Sequence, residues 1–337
     1  MIKRKVMLEI GKIDSDLLKK IVFDKITYRR PEVKTRPGIG EDCAVVDFGK
    51  CDCVISTDPI TAAVNEIGRL AIHITCNDIA SNGIRPVGIM LAAMLPPGTT
   101  EEDIATIMEQ AGKTAAEVKV EIIGGHTEIT AAVNRPVIVS TAIGISTDSE
   151  KNSHKNMKPG DIILLTKRAG LEGAGVIASD NENELRELLS REEIESAKGF
   201  LKEVSVVPEG AAAGKVGTCG MHDVTEGGIL GAVWEMCNVE NKGAIIYKEN
   251  IPVDPVTEKI AGFYDIDVLR LISSGCMLII AAADKKDEVM RVVEEEGVMI
   301  SEIGVIVPPE EGIMIVENDS ISPILPPASD ELYKAVK

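Results

Sequence analysis

Residues 68–96 read GRLAIHITCNDIASNGIRPVGIMLAAMLP, and this stretch decides the fold. Helical spacing predicts a helix over 66–82, and the apolar run over 86–95 is typical of a buried strand. Asp78 follows Ile74 by four residues, which places its carboxylate on the buried stripe of the helix. A carboxylate there needs a cation or a strong donor, because burial otherwise favours the protonated form.

Four other acidic residues occupy comparable places beside apolar segments. Asp42 lies in GIGEDCAVV, Asp58 ends VISTD, and Asp223 and Glu226 lie in MHDVTEGG. One such carboxylate would be explained as a local cap or turn residue. The whole set instead predicts a shared site for a hard divalent cation, and Mg²⁺ commonly bridges protein carboxylates to nucleotide phosphates.

A glycine pair precedes a histidine and a threonine in Gly124-Gly125-His126-Thr127. We expect a turn here whose backbone N–H groups approach an anion, because glycine has no β-carbon. The Thr127 hydroxyl can donate to a phosphate or bind a metal ion. Taken alone, His126 is more often a turn histidine with satisfied hydrogen bonds than a ligand or a base.

The order of the predicted elements indicates an α+β fold with two domains. Strands are predicted at CAVVDF, DCVISTD, VEIIGG, RPVIVSTAIGIS, DIILLTK, CMLIIAAA, ISEIGVIV and GIMIVE. Further helices are predicted at about 14–24, 99–118, 173–180, 184–204 and 226–238, and in KKDEVMRVVEEEG. We expect an N-terminal helix and mobile basic arm over 1–37, a mixed α/β domain with a short-stranded sheet over 38–154, and an α+β domain over 155–337.

Composition and charge exclude several classes of protein. The chain has 36 Lys plus Arg against 54 Asp plus Glu, a formal charge of −18, which disfavours binding to nucleic acid. Neither an apolar run of about 18 residues nor a signal-peptide core is present, so we expect a cytoplasmic protein without a membrane partner. The seven cysteines include no CxxC pair, which argues against a disulfide framework or a zinc ribbon.

Two glycine-rich segments fail as phosphate-binding motifs. The sequence GAAAGK at 210–215 is one residue short of a P-loop and is followed by Val216. The sequence GLEGAG at 170–175 lacks the spacing of a dinucleotide fingerprint. We predict packing glycines or helix starts at both places. A serine nucleophile elbow is also absent from the sequence.

The segment KITYRRPEVKTRPGIG, residues 25–40, is basic in an otherwise acidic chain. One interpretation is a solvated linker. The other is a lid that is mobile without ligand and becomes ordered over bound nucleotide, with Arg29 and Arg30 offsetting phosphate charge.

The series GIGEDCAVV, VISTDP, GRLAIHITCNDIASNGIRPVGIMLAAMLP, GGHTE and DVTEGG resembles the PurM-type, AIR synthase-related ATP-binding superfamily, closest to HypE-like hydrogenase-maturation proteins. The resemblance runs from about residue 38 to the carboxyl end and depends on the order and spacing of all five motifs. It implies a two-domain PurM-like fold with an N-terminal dimerisation domain, ATP and Mg²⁺ as cofactors, and a homodimer.

The resemblance also implies roles for individual residues. Metal ligands would be Asp42, Asp58, Asp78, Asp223 and Glu226, and Asp223 is the candidate acid or base. Nucleotide contacts would come from Gly40, Asp42, Asp58, Asn77, Gly124, Gly125, His126 and Thr127. Many relatives carry an aspartate where His126 stands. HypE proper ends in a tail with a terminal cysteine, whereas the last cysteine of this sequence is Cys276.

Three functions are compatible with these sequence features. The first is a HypE-like enzyme that activates an oxygen or phosphate acceptor, on an unknown small molecule or on a protein, by ATP-dependent phosphorylation in hydrogenase or cofactor maturation. The second is a phosphotransferase that resembles thiamine-monophosphate kinase, for which DVTEGG offers the expected pair of acids. The third is a catalytically silent ATP sensor or partner-binding module, for which the histidine in GGHT would be the sign.

Overall fold

The computed structural model describes residues 15–39, 41–61, 66–147, 156–318, 320–327 and 329–336. Its strands are β1 Val33–Thr35, β2 Ala44–Asp47, β3 Asp52–Ile60, β4 Pro86–Leu95, β5 Glu121–Ile129, β6 Val137–Ser146, β7 Ile162–Thr166, β8 Gly220–Asp223, β9 Gly243–Tyr247, β10 Met277–Ala281, β11 Ile300–Val307, β12 Ile313–Glu317 and β13 Ser320–Pro323. Its α-helices are α1 Ser15–Ile21, α2 Ile67–Ser81, α3 Glu101–Val118, α4 Leu171–Asp180, α5 Glu182–Leu185, α6 Arg191–Gly199, α7 Val207–Val216, α8 Gly228–Val239, α9 Pro255–Tyr264 and α10 Lys286–Glu295. The predicted α+β class is confirmed.

The first sheet has six strands in the order β1-β2-β3-β6-β4-β5, and only its β4–β5 pair is parallel. Buried and less buried residues alternate along β3 and β6, as expected when one face of a sheet is covered. Helix α2 packs on β3 and β6, and α3 packs against α2. The helix α3 begins with the predicted capping chemistry, because the side chains of Thr100 and Asp103 each bond to the other's backbone N–H.

The second sheet has seven strands in the order β13-β12-β9-β11-β7-β10-β8. Its β9–β12 pair is parallel and its other pairs are antiparallel. The strands β7 and β10 are almost wholly buried, which accounts for their uninterrupted apolar sequences. Strand β8 lies at one edge of this sheet and contacts α2 of the first half, so the carboxyl ends of β8 and α2 meet.

The predicted helix over 184–204 is wrong in its extent. Helix α5 ends at Leu185, and a new helix, α6, begins after Ser190. The Ser190 side chain accepts from the backbone N–H of Glu193 at 3.2 Å, and the Glu193 carboxylate accepts from the backbone N–H of Ser190 at 2.8 Å. This capping box starts α6 and separates it from the preceding turn.

The glycines of the segment GAAAGK, residues 210–215, lie in α7 and allow close packing, as predicted. A β-carbon on Gly210 would lie 2.6 Å from the carbonyl oxygen of Ala80, and one on Gly214 would lie 2.2 Å from that of Gly83. The two glycines therefore let α7 approach the carboxyl end of α2 closely. The sequence patterns had not predicted α7, β8, β9, α9 or β13 as elements.

The basic arm is partly a strand, which corrects the expectation of an irregular segment. Residues 33–35 form β1 and pair with β2, while the Lys34 ammonium lies 2.6 Å from the Asp52 carboxylate. Arg30 forms an ion pair with Glu32. Whether ligand orders this arm stays a prediction. Among the described residues, no helix has both the length and the apolar character needed to cross a bilayer.

Candidate functional site

Five predicted metal ligands from both halves of the chain line one cavity of about 340 Å³. They are Asp42, Asp58, Asp78, Asp223 and Glu226. The first precedes β2, the second lies on β3, the third on α2, the fourth ends β8 and the fifth lies in the turn before α8. The cavity therefore lies where α2 and the first sheet meet the edge of the second sheet.

Asp78 is buried among other carboxylates. Its side chain accepts a short hydrogen bond from the Ser56 hydroxyl, which also lies 2.9 Å from the Asp42 carbonyl oxygen. Burial raises the pKa of the Asp78 carboxyl well above its usual range, and the negative charges of Asp223 and Asp58 raise it further. A bound cation would offset this concentration of negative charge.

Asp223 is fixed by α2 across the boundary between the two halves. The Ser81 hydroxyl donates to Asp223 Oδ1 at 3.0 Å, and its oxygen accepts from the Asp223 backbone N–H at 3.2 Å. Burial, followed by the negative charge of Asp42, raises the pKa of the Asp223 carboxyl to about 6. A carboxyl with this pKa can exchange a proton near neutral pH.

Two carboxylate oxygens of the predicted ligands, Asp58 Oδ2 and Asp223 Oδ2, are buried without a hydrogen-bond partner. An unpartnered buried carboxylate oxygen is costly, and coordination of a cation removes that cost. The donor set consists of carboxylate oxygens, which are the ligands that Mg²⁺ prefers. The residues present therefore fit a divalent cation.

His222 joins the site through Asp42 and was not predicted as a functional residue. Its Nδ1 lies 3.0 Å from Asp42 Oδ2, and its Nε2 lies 3.4 Å from Glu235 Oε2 on α8. Burial lowers the pKa of His222, but the charge and hydrogen bond of Asp42, together with Glu235, outweigh burial and raise it well above its usual value. The only sign of His222 in the sequence is its position next to Asp223 in MHDVTEGG. Its contact with Asp42 cannot be read from the sequence, because the two residues are 180 positions apart.

Glu172, at the start of α4, is a second residue that the sequence patterns missed. It lines the same cavity, and its Oε2 is buried without a partner. Burial raises the pKa of its carboxyl from the usual 4.5 to about 7, although hydrogen bonds from Ser274 act in the opposite direction. Its local sequence, GLEGAG, is notable for its glycines and gives no sign of a functional carboxylate.

The segment Gly124–Thr127 lies within strand β5, so the predicted turn is wrong. These residues line a separate cavity, with Leu91 and Ile138, and do not border the acidic one. A β-carbon on Gly125 would lie 1.9 Å from the Leu91 carbonyl oxygen. The close pairing of β5 with β4 is therefore a sufficient reason for that glycine.

Asn77, which was predicted to contact nucleotide, instead forms a contact between the two halves of the chain. Its side chain is fully buried, its Nδ2 donates to the Val204 carbonyl at 2.7 Å, and its Oδ1 accepts from the Val206 N–H at 2.9 Å. These bonds occupy both ends of the amide. Gly40, the remaining predicted nucleotide contact, lies outside the described residues.

Comparison with protein families gives two adjacent matches. The N-terminal domain of AIR synthase related protein matches residues 40–146, and its C-terminal domain matches residues 158–317. Together the matches cover most of the chain and confirm the resemblance drawn from the five motifs.

Curated relatives extend this similarity over most of their own length. A hydrogenase expression/formation protein of Methanocaldococcus jannaschii is 26% identical over 296 residues, which are 84% of this chain and 83% of the relative. The carbamoyl dehydratase HypE of Bradyrhizobium diazoefficiens is 28% identical over 258 residues, which are 74% of this chain and 72% of the relative.

Solved structures show the same fold. The crystal structure of a HypE–HypF complex aligns with a TM-score of 0.76 at 22% identity, covering 92% of this chain and 99% of the other. The crystal structure of HypE in complex with ATP aligns with a TM-score of 0.69 at 20% identity, covering 97% and 98%. The PurM-like two-domain fold implied by the sequence is thus confirmed.

Proposed function

Because the chain belongs to the AIR synthase-related protein family, we propose that it is an ATP- and Mg²⁺-dependent enzyme of the HypE-like type. It would activate an acceptor oxygen by phosphorylation. The acceptor would be a carboxamide that is then dehydrated, because a relative of this chain is named a carbamoyl dehydratase. The maturation of a hydrogenase or another cofactor-bearing protein would be its biological setting.

One observation carries the proposal: five carboxylates from both halves of the chain converge on a single cavity. Two of them have buried oxygens without partners, and a third, Asp78, is buried among like charges. Such a site is unfavourable without cations and suits the metal-bridged phosphates of a nucleotide. The bound Mg²⁺ would neutralise the charge that develops on the transferring phosphoryl group.

The roles of the chain's own residues follow from their surroundings. Asp42, Asp58 and Asp78 would hold the cation, with Glu226 at the second-domain side of the cavity. Asp223 is the candidate acid or base, because Ser81 fixes one of its oxygens and leaves the other without a hydrogen-bond partner. The pKa of about 6 lets Asp223 accept and return a proton near neutral pH.

We also propose a homodimer through the first sheet. The face of this sheet opposite α2 carries Met90, which pairs with Thr141 on β6, and Ile145 further along the same strand. Met90 and Ile145 are 48% and 52% exposed. An apolar sheet face that no described helix covers is suited to a second copy of the same chain.

An acceptor-dependent ATPase assay tests the function. The chain is incubated with Mg-ATP and either small carboxamides, thiamine monophosphate or no acceptor, and ADP, AMP and phosphate are quantified. We expect ADP formation that depends on a carboxamide. Consumption of thiamine monophosphate would instead support the phosphotransferase, and ATP binding without turnover in any arm would support the sensor. AMP as the nucleotide product would contradict the transfer of a single phosphoryl group from ATP that the carboxamide and thiamine monophosphate reactions share.

A further inference from the structure

The acidic cavity also contains one nitrogen donor, His222. Single ligand atoms of Asp42, His222 and Asp223 all lie within 4.8 Å of one another. We propose that these three residues form a mixed nitrogen and oxygen site for a divalent transition-metal ion, which would displace to solvent the proton that His222 Nδ1 holds against Asp42. The inference rests on the proposed function only in treating this cavity as a cation site, and it adds the identity of one cation and a new ligand.

Glu235 orients His222 as a ligand. Metal-binding histidines generally offer one ring nitrogen to the ion and hold the other against a carboxylate, which fixes the ring and its tautomer. Here Nε2 lies 3.4 Å from Glu235 Oε2, and Nδ1 lies 3.0 Å from Asp42 Oδ2. The separation of Nδ1 and Asp42 Oδ2 suits two ligands of one ion, since bonds to such ions are about 2.1 Å.

Asp223 gives an independent indication that this cavity binds a cation. Asp223 lines the cavity and is 1% exposed, its Oδ1 is held by Ser81, and its Oδ2 is buried without a hydrogen-bond partner. Asp42 lies at the exposed rim of the site. Asp223 is therefore already held in position in the interior, and Asp42 is accessible to an ion that arrives from solvent.

The donor set predicts which ions bind. Mg²⁺ prefers oxygen ligands alone, whereas imidazole favours Mn²⁺, Co²⁺ or Zn²⁺ over Mg²⁺ when carboxylates complete the site. The other carboxylates of the cavity, Asp58, Asp78, Glu172 and Glu226, offer only oxygen, and Asp58 and Asp78 keep their proposed role toward Mg²⁺. With the transition metal bound, Asp42 and Asp223 serve as its ligands, in place of the roles as Mg²⁺ ligand and acid or base that the proposed function gives them. The cavity would thus hold a nitrogen-ligated transition metal beside an oxygen-ligated Mg²⁺.

Metal binding to the full-length chain without nucleotide tests the inference. Co²⁺ and Mg²⁺ are titrated separately by calorimetry, and pulsed EPR of bound Mn²⁺ is examined for coupling to ¹⁴N. We expect Co²⁺ to bind at least 10-fold more tightly than Mg²⁺, and a ¹⁴N signal from one imidazole. His222→Gln should remove that signal and weaken Co²⁺ binding at least 10-fold.

Two further variants guard against a folding artefact. Glu235→Gln keeps the imidazole but changes its support, so Co²⁺ affinity should fall about 10- to 100-fold. Glu187→Gln, an exposed control away from the cavity, should leave Co²⁺ affinity unchanged. Bound Mn²⁺ without ¹⁴N coupling, or equal Co²⁺ affinities in the parent, His222→Gln and Glu235→Gln proteins, would show that His222 only forms an ion pair with Asp42.

The outcome is separable from that of the proposed function. Absence of the ¹⁴N signal in the parent chain, together with normal Mg-ATP binding, would overturn this inference alone. A clear ¹⁴N signal in a protein that fails to bind Mg-ATP would support the transition-metal site and contradict the proposed function.

Discussion

Two buried aspartates of the first half show how surroundings decide what a carboxylate does. Asp52 lies at the start of β3 and pairs with Lys34 at 2.6 Å, so its negative charge is compensated within the chain. Asp78 has mainly other aspartates around it, and burial together with those charges raises its pKa. The same residue type is thus a structural ion-pair member in one place and a candidate ligand in the other.

Replacing Asp78 by asparagine should abolish Mg²⁺-dependent ATP binding and leave the fold intact. The amide removes a cation ligand and, at the same time, relieves the repulsion among the buried carboxylates. We expect Mg-ATP affinity to fall at least 100-fold in calorimetry, with an unchanged or higher melting temperature. Asp52→Asn is the matched control, since it should lower the melting temperature but keep Mg-ATP affinity. Equal Mg-ATP affinity in the Asp78 variant and the parent would refute the assignment.

Glu172 should make folding stability depend on pH. Its pKa is about 7 in the folded chain against the usual 4.5, so the folded state binds more protons between these values. The free energy of unfolding therefore falls as pH rises through this window and does not fall further above it. The shift corresponds to about 3 kcal/mol.

Glu172→Gln should remove this contribution. The stability of the variant relative to the parent should rise by up to about 3 kcal/mol between pH 4.5 and 8, as measured by urea denaturation. The exposed Glu187→Gln serves as the control, with no such trend. A constant difference between Glu172→Gln and the parent across this range would show that Glu172 titrates normally.

At the scale of elements, the sequence patterns predicted the helices and strands whose formation depends on neighbouring residues in the chain. Helix α2 and strand β4 were predicted to within a residue, because the apolar spacing and the Gly-Ile-Arg-Pro break lie within one continuous stretch. Asp78 was assigned to the site for the same reason. The His222–Asp42 contact could not be predicted, because it forms only when β8 packs beside α2. Likewise, the Gly-Gly turn was wrong because pairing with β4 overrides the local preference of glycine.

The two glycines of β5 give a matched test of that pairing. A β-carbon on Gly125 would lie 1.9 Å from a carbonyl oxygen of β4, whereas one on Gly124 would meet only the flexible end of Met90 at 3.8 Å. Their φ angles, 149° and 159°, are similar, so backbone strain is nearly the same for both. Gly125→Ala should destabilise by about 3 kcal/mol or more and Gly124→Ala by about 1. Urea denaturation measures both, and equal losses would contradict the close approach.

At the scale of the whole molecule, the site exists only while the two halves stay together. Asn77 and Ser81, both on α2, bond across the boundary to the segment before α7 and to Asp223. The cavity is therefore assembled by the same helix that supplies Asp78. Stability and ligand binding should be coupled through these contacts.

Asn77→Ala should destabilise the chain by about 2–4 kcal/mol. The substitution deletes two hydrogen bonds and leaves a backbone N–H and a carbonyl buried without partners. Asn250→Ala is the control, because that exposed side chain makes a single bond to the Glu302 carbonyl. Urea denaturation should give a loss below about 0.5 kcal/mol for the control. A similarly small loss of unfolding free energy in Asn77→Ala would show that Asn77 does not hold the two halves together.

The last prediction concerns assembly through the first sheet. Light scattering at concentrations well above micromolar should give about twice the chain mass of 36.0 kDa. Met90→Lys places a charge on the exposed face of the first sheet, and burying that charge against a second copy would be costly, so the variant should be monomeric. Met299→Lys is the matched control, since both methionines are 48% exposed but Met299 precedes β11 in the other sheet. A monomeric parent, or dissociation by the control alone, would show that this face is not the dimer interface.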